Sequence, residues 1–115
     1  ENIVLKSKGE QTRTYCYVLD VVSALFKLLC AGKDGEIYNV SNENSIASIA
    51  EVAKTCAEIA GTKVVFDLPS EVEAKGFSRS RNCILDNKKL KDLGWSGKYS
   101  LREGLEETLE YLRRK

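Results

Sequence analysis

At 115 residues the chain has the size of one ordinary domain. Its composition, 43% hydrophobic and 30% charged, excludes low-complexity disorder and collagen, and no apolar run approaches the ~20 residues of a membrane helix. Eighteen Lys and Arg against 17 Asp and Glu leave a net charge of +1, which argues against a dedicated nucleic-acid binder.

Residues 3–5 and 12–18 are β-rich and alternate, and Ser7-Lys8-Gly9-Glu10 between them is a turn signal. The pattern predicts a β-hairpin. On its second strand Arg13, Tyr15 and Tyr17 share one face. Asp20 is the expected N-cap of a helix made apolar by Val21, Val22, Ala24, Leu25, Leu28 and Leu29. Such a helix should be largely buried, and it should stop at Gly32. Residues 35–40 read as a short strand, followed by a polar loop over residues 41–45.

A second helix follows, with Ile46, Ile49, Ala50, Ala53, Ala57 and Ala60 at helical spacing up to Gly61. Ser45 is preferred as its N-cap because Ile46 belongs to the apolar face, although Ser48 and Glu51 have capping-box spacing. Residues 63–67 are another strand, ended by Pro69. The irregular stretch 70–82 contains Lys75, Arg79 and Arg81 between residues 75 and 81, with no acid among them. Residues 83–85 are extended, and Asp86 is expected to cap a short helix over 87–93, ahead of Gly94-Trp95. Ser100 and Glu103 form a second capping box, and Leu101, Leu105, Leu109 and Leu112 make one apolar stripe. Interleaved strands and helices place the chain in the α/β or α+β class as a single domain, with short strands packed against about four helices.

The chain has no His, which removes the commonest general base and most catalytic zinc sites. Cys16, Cys30, Cys56 and Cys83 form no C-x-x-C pair, and each sits in an apolar segment. Four free, buried thiols and a reducing, cytoplasmic compartment are expected. With no Met and a start in mid-strand, the sequence reads as a piece of something longer, and its first residues do not form a signal peptide. No G-x-G-x-x-G phosphate loop is present, and no catalytic or metal-ligating constellation stands out. Three features point to an anionic ligand. Arg13 stands beside tyrosines, Asn39 lies at the carboxyl end of a strand, and Arg79 and Arg81 punctuate a Gly- and Ser-containing loop. Arginine suits bidentate phosphate recognition, and strand carboxyl ends are favoured ligand positions.

Five stretches in order resemble the extended short-chain dehydrogenases/reductases, the NAD(P)-dependent nucleotide-sugar epimerases, dehydratases and decarboxylases. Residues 9–20 resemble G-x-x-x-R-x-x-x-Y-V-x-D, through Arg13, Tyr17, Val18 and Asp20. Residues 35–40 resemble G-E-x-Y-N-(V/I/L), followed by Ser41 where relatives usually carry Gly. Ser45-Ile46 with Ile49-Ala50 resembles a S/T-I-x-E-(I/L)-A helix start. Residues 86–95 resemble D-x-x-K-(A/L)-x-x-x-L-G-W, one residue short, and residues 100–105 resemble S-L-x-E-G-L.

The resemblance implies the C-terminal, substrate-binding portion of such an enzyme, with the Rossmann core missing. It implies that Arg13 contacts a nucleotide diphosphate, that Asn39 lies at the sugar-nucleotide site and that Arg81 contacts phosphate or ribose; Arg79 matches less well. NAD(P) belongs to the parent enzyme and is not expected on this chain. The family's Y-x-x-x-K pair is matched only by Tyr111 and Lys115 at the chain end, which is discarded as chance. The partners implied are a nucleoside-diphosphate sugar and the missing Rossmann domain, with no membrane. Stranded from that domain, the chain is expected to self-associate and to be inactive alone. The alternative is a structural or interaction module without measurable ligand affinity.

Overall fold

The computed structural model describes residues 1–76 and 82–115. Contacts divide the chain into two compact units, each built from two separated stretches. Unit 1 holds residues 1–13 and 47–83, and unit 2 holds residues 14–46 and 84–115.

In unit 1, β1 (Ile3–Leu5) pairs in parallel with β4 (Val64–Phe66), with Val4 opposite Val65. β2 (Thr12–Thr14) pairs in parallel with β5 (Asn82–Cys83) and is flanked on its other side by β3 (Ile46–Ser48). The expected hairpin is therefore not formed: β1 and β2 belong to different sheets. The turn signal is real but serves another purpose. Gly9 adopts φ +64°, and a Cβ there would lie 2.8 Å from the amide nitrogen of Ala50. Its carbonyl accepts that amide, so the chain turns against the start of α2 (Ile49–Ala60) instead of folding back on β1.

Ser48, not Ser45, caps α2. Its hydroxyl accepts from Glu51 N, and the Glu51 carboxylate accepts from Ser48 N, which completes a capping box. Ile46 is not on the helix at all; it lies in β3 and is exposed. Ala53 and Ala57 are the buried face of α2, small enough to let it lie on β1 and β4. Gly61 ends the helix in the left-handed conformation, with φ 69°. The short α3 (Glu71–Ala74) is capped by Ser70.

Unit 2 is helical. α1 (Val18–Ala31) begins two residues before Asp20, with Tyr17 at the N-cap position and no side-chain cap. α4 (Lys88–Asp92) has Asn87, not Asp86, at its N-cap position and no side-chain cap bond; the Asp86 carboxylate, one residue earlier, accepts Lys88 N. α5 (Leu101–Arg113) is capped by Ser100. The core is Ala24, Leu90 and Trp95, with Cys16, Leu28 and Val40 packed on it, and the Trp95 indole donates to Ser23 Oγ at 2.9 Å. Residues 35–40 do not join a strand ladder; side chains tie them instead, Tyr38 accepting Lys33 N and Lys89 donating to the Ile37 carbonyl.

Burial differs from expectation in two places. α1 buries only Asp20 and Ala24, while Val18, Leu25, Phe26 and Leu29 are exposed, Leu29 by 83%. Cys16 and Cys56 are half-buried, but Cys30 and Cys83 are exposed; all four are free. Among the described residues no helix is long and apolar enough to cross a membrane.

The Ser48 cap is testable on its own. Replacing the hydroxyl leaves Glu51 N without its partner, so Ser48→Ala should cost about 1 kcal/mol, read as a lower denaturant midpoint at unchanged slope.

Candidate functional site

Asp20 organises unit 2. Its carboxylate is 2% exposed and accepts two backbone amides, Lys98 N at 3.0 Å and Tyr99 N at 3.1 Å. This replaces the capping role expected of it, because both oxygens are already claimed by the connector between α4 and α5. Asn42, also buried, donates Nδ2 to the Tyr99 carbonyl at 2.9 Å. Gly97 makes this approach feasible: a Cβ there would lie 2.6 Å from Asn42 Nδ2. Held at both its amide and its carbonyl, Tyr99 sets its ring 4.7 Å from that of Tyr17, tilted by 56°. Gly104 lets the Tyr17 ring lie on α5, since a Cβ there would be 3.1 Å from that ring.

Beside these rings is an apolar cavity of about 300 Å³ whose walls include Tyr15, Tyr17, Leu101 and Leu105, with Cys16 and Ser45 on its surface. Burial pushes the Cys16 thiol up, and the negative charge of Asp20 adds to this, so Cys16 is a poor nucleophile. Burial likewise raises the Tyr17 phenol, with smaller contributions from Glu107 and Tyr99.

A second polar cluster surrounds Asn39. The Asn39 side chain is exposed and donates Nδ2 to the Asp86 carbonyl at 3.1 Å. Ser41 Oγ donates to the Leu85 carbonyl at 3.1 Å. Asn87 Nδ2 donates to the Ser41 carbonyl at 2.9 Å and to Glu43 Oε2 at 2.7 Å. Hydrogen bonds from Lys91 and then Asn87 hold the Glu43 carboxyl down to about 2.

The candidate site residues are not all brought together. Arg13 lies in unit 1, half-buried on β2, and its guanidinium donates to the Thr12 carbonyl at 3.0 Å and Gln11 Oε1 at 3.3 Å. Both acceptors are neutral, and among the described residues no carboxylate pairs with it. Asn39 lies in unit 2, and Arg79 and Arg81 fall outside the described residues. No group of three metal-ligating side chains occurs among the described residues. Sequence reasoning missed the work done by Ser41, Asn42 and Asn87. Their only signal was polarity in short loops next to apolar segments.

The fold matches a segment of solved nucleotide-sugar dehydratase and epimerase structures. The sequence profile of the NAD dependent epimerase/dehydratase family matches residues 1–41. The human dTDP-D-glucose 4,6-dehydratase is 31% identical over 117 residues, covering 95% of this chain and 32% of that enzyme. The UDP-N-acetyl-alpha-D-glucosaminuronate decarboxylase of Bacillus cytotoxicus is 30% identical over 116 residues, 98% of this chain and 36% of the enzyme. Among solved structures, the Thermotoga maritima UDP-glucose 4-epimerase with UDP-glucose superposes with a TM-score of 0.81 at 33% identity, covering 99% of this chain and 35% of that one. The dTDP-glucose 4,6-dehydratase of Bacillus anthracis in complex with NAD shares the fold, with a TM-score of 0.82 at 22% identity over 100% of this chain and 35% of its own. The chain is similar to members of the NAD-dependent epimerase/dehydratase family and spans about a third of the length of these relatives.

Glu43 gives the cluster a pH signature. Its folded pKa of about 2 lies below its ordinary 4.5, so its stabilising contribution is complete above pH 4.5 and disappears as pH falls towards 2. Glu43→Gln should flatten the acid limb of the stability curve in that window, measured by denaturant melts from pH 5 to pH 2.

Proposed function

We propose that this chain is the nucleoside-diphosphate-sugar-binding part of an NAD(P)-dependent epimerase, dehydratase or decarboxylase of nucleotide-sugar metabolism. The observation that carries this reading is the state of Arg13. Among the described residues this half-buried guanidinium meets only neutral acceptors, which leaves it able to pair with an anion, and a diphosphate supplies one. Similarity over nearly the whole chain to an epimerase crystallised with UDP-glucose supports the ligand class.

In this reading Arg13, with Arg81 and Arg79, neutralises the diphosphate, and Asn39 bonds the sugar-nucleotide. Holding the diphosphate fixes where the sugar carbons lie, which is how a binding segment contributes to rate. NAD(P), bound by the parent enzyme, supplies the hydride chemistry. The rest of the parent, a Rossmann domain, covers the exposed apolar stripe of α1, and the separate chain self-associates through that stripe. The four free thiols fit a reducing, cytoplasmic setting.

The exposed stripe of α1 also favours a second reading, an interaction module without ligand affinity. Ligand-induced stabilisation separates the two. UDP-glucose or dTDP-glucose at ~100 times its dissociation constant should add about 2.7 kcal/mol of stability. Arg13→Ala should weaken that binding about ten- to a hundredfold, since a charge-assisted bond is worth roughly 1.5–3 kcal/mol, with little change in the ligand-free melting temperature. A variant that melts early but keeps full affinity would make Arg13 structural.

A further inference from the structure

In unit 2 the stretches 39–43 and 84–88 are joined by side chains bonded to main chain, without a strand ladder. Two of these bonds run in opposite directions. Ser41 Oγ reaches across to the Leu85 carbonyl at 3.1 Å, and Asn87 Nδ2 reaches back to the Ser41 carbonyl at 2.9 Å. Together they close a clamp on the two residues that flank Asp86. The clamp is anchored at both ends: Leu85 N donates to Thr14 Oγ1 at 3.3 Å, and Asn87 Nδ2 also holds Glu43 at 2.7 Å.

Ser41 is 2% exposed and Asn87 6%, so a ligand arriving from solvent cannot use either directly. Asn39, by contrast, is exposed, and one of its amide N–H groups is committed to the Asp86 carbonyl. Its amide plane therefore follows wherever that carbonyl is held. An amide has one acceptor oxygen and two N–H groups, so Oδ1 and one N–H remain for a ligand.

We propose that Ser41 and Asn87 are positioning residues, which clamp residues 85–87 and thereby fix the orientation in which the Asn39 amide meets a nucleoside-diphosphate sugar. This rests on the assignment of Asn39 to the sugar-nucleotide site. Neither residue touches the ligand; each acts through the Asp86 carbonyl.

The test compares the chain with its Ser41→Ala, Asn87→Ala and Ser41→Thr variants. The readouts are the NMR signals of the Asn39 side-chain NH2 and the dissociation constant for UDP-glucose. Both alanine variants should move the Asn39 pair towards its position in an unstructured peptide and weaken UDP-glucose by about tenfold, the loss of roughly one well-placed hydrogen bond. Backbone signals of the β1–β4 pair should stay in place, and Ser41→Thr, which keeps the hydroxyl, should restore both readouts. An Asn39 pair unmoved in both alanine variants overturns the clamp. A moved pair with unchanged affinity overturns its role in binding. Loss of the folded spectrum in both alanine variants makes the two residues architectural and also overturns the proposal. If the unsubstituted chain does not take UDP-glucose, the assignment of Asn39 to the ligand fails, and the Asn39 signal still decides the clamp.

Discussion

The arrangement of unit 2 depends on one buried carboxylate. Asp20 receives the amides of Lys98 and Tyr99 while sitting in the first turn of α1, where the helix dipole also favours negative charge. Each bond to a charged acceptor is worth roughly 1.5–3 kcal/mol, and removing the acceptor would leave two amides seeking partners away from water. A connector that would otherwise be an irregular link between α4 and α5 is thereby fixed at its centre. The Tyr17–Tyr99 ring pair, the seat of Tyr17 on Gly104 and the adjoining cavity all follow from where that connector sits.

The same logic recurs wherever the unit has no ladder. Asn42 fixes the Tyr99 carbonyl, Ser41 the Leu85 carbonyl and Asn87 the Ser41 carbonyl. A buried main-chain carbonyl or amide must find a partner, and short polar side chains supply it where strands do not. Among the described residues no buried side-chain polar atom is left without one. The apolar core is small, three buried residues with three more packed on it, so these polar bonds carry much of the specification of the loops.

Helices were the legible part of the sequence. The stripe Leu101, Leu105, Leu109 and Leu112 with a Ser100 cap, the alanine face of α2 and the stop at Gly61 are local signals, and local signals survive into the structure. Strand pairing was not legible. The segments 3–5 and 12–18 look like a hairpin because they are close in sequence, but parallel partners at residues 64–66 and 82–83 take them. Ser45 lost to Ser48 because a capping box satisfies donors at both ends of the first turn, an advantage a single apolar neighbour does not outweigh. At the candidate site, Arg13 and Asn39 were legible as residues able to bind an anion or a hydroxyl. The clamp behind Asn39 was not, because Ser and Asn in loops carry no periodicity and acquire meaning only through contacts more than forty positions away.

The chain crosses between its two units three times, after residues 13, 46 and 83. During synthesis neither unit is therefore a contiguous stretch that can close as it emerges. Unit 1 must wait for residue 83, holding its first strand without β4 while α1 is made. Unit 2 waits longer, since the amides that Asp20 receives lie 78 and 79 positions downstream. A nascent chain stalled between residues 46 and 83 would hold Ala24 of α1 without Leu90 and Trp95, its later partners in the core. That interval is when a holding chaperone would matter most.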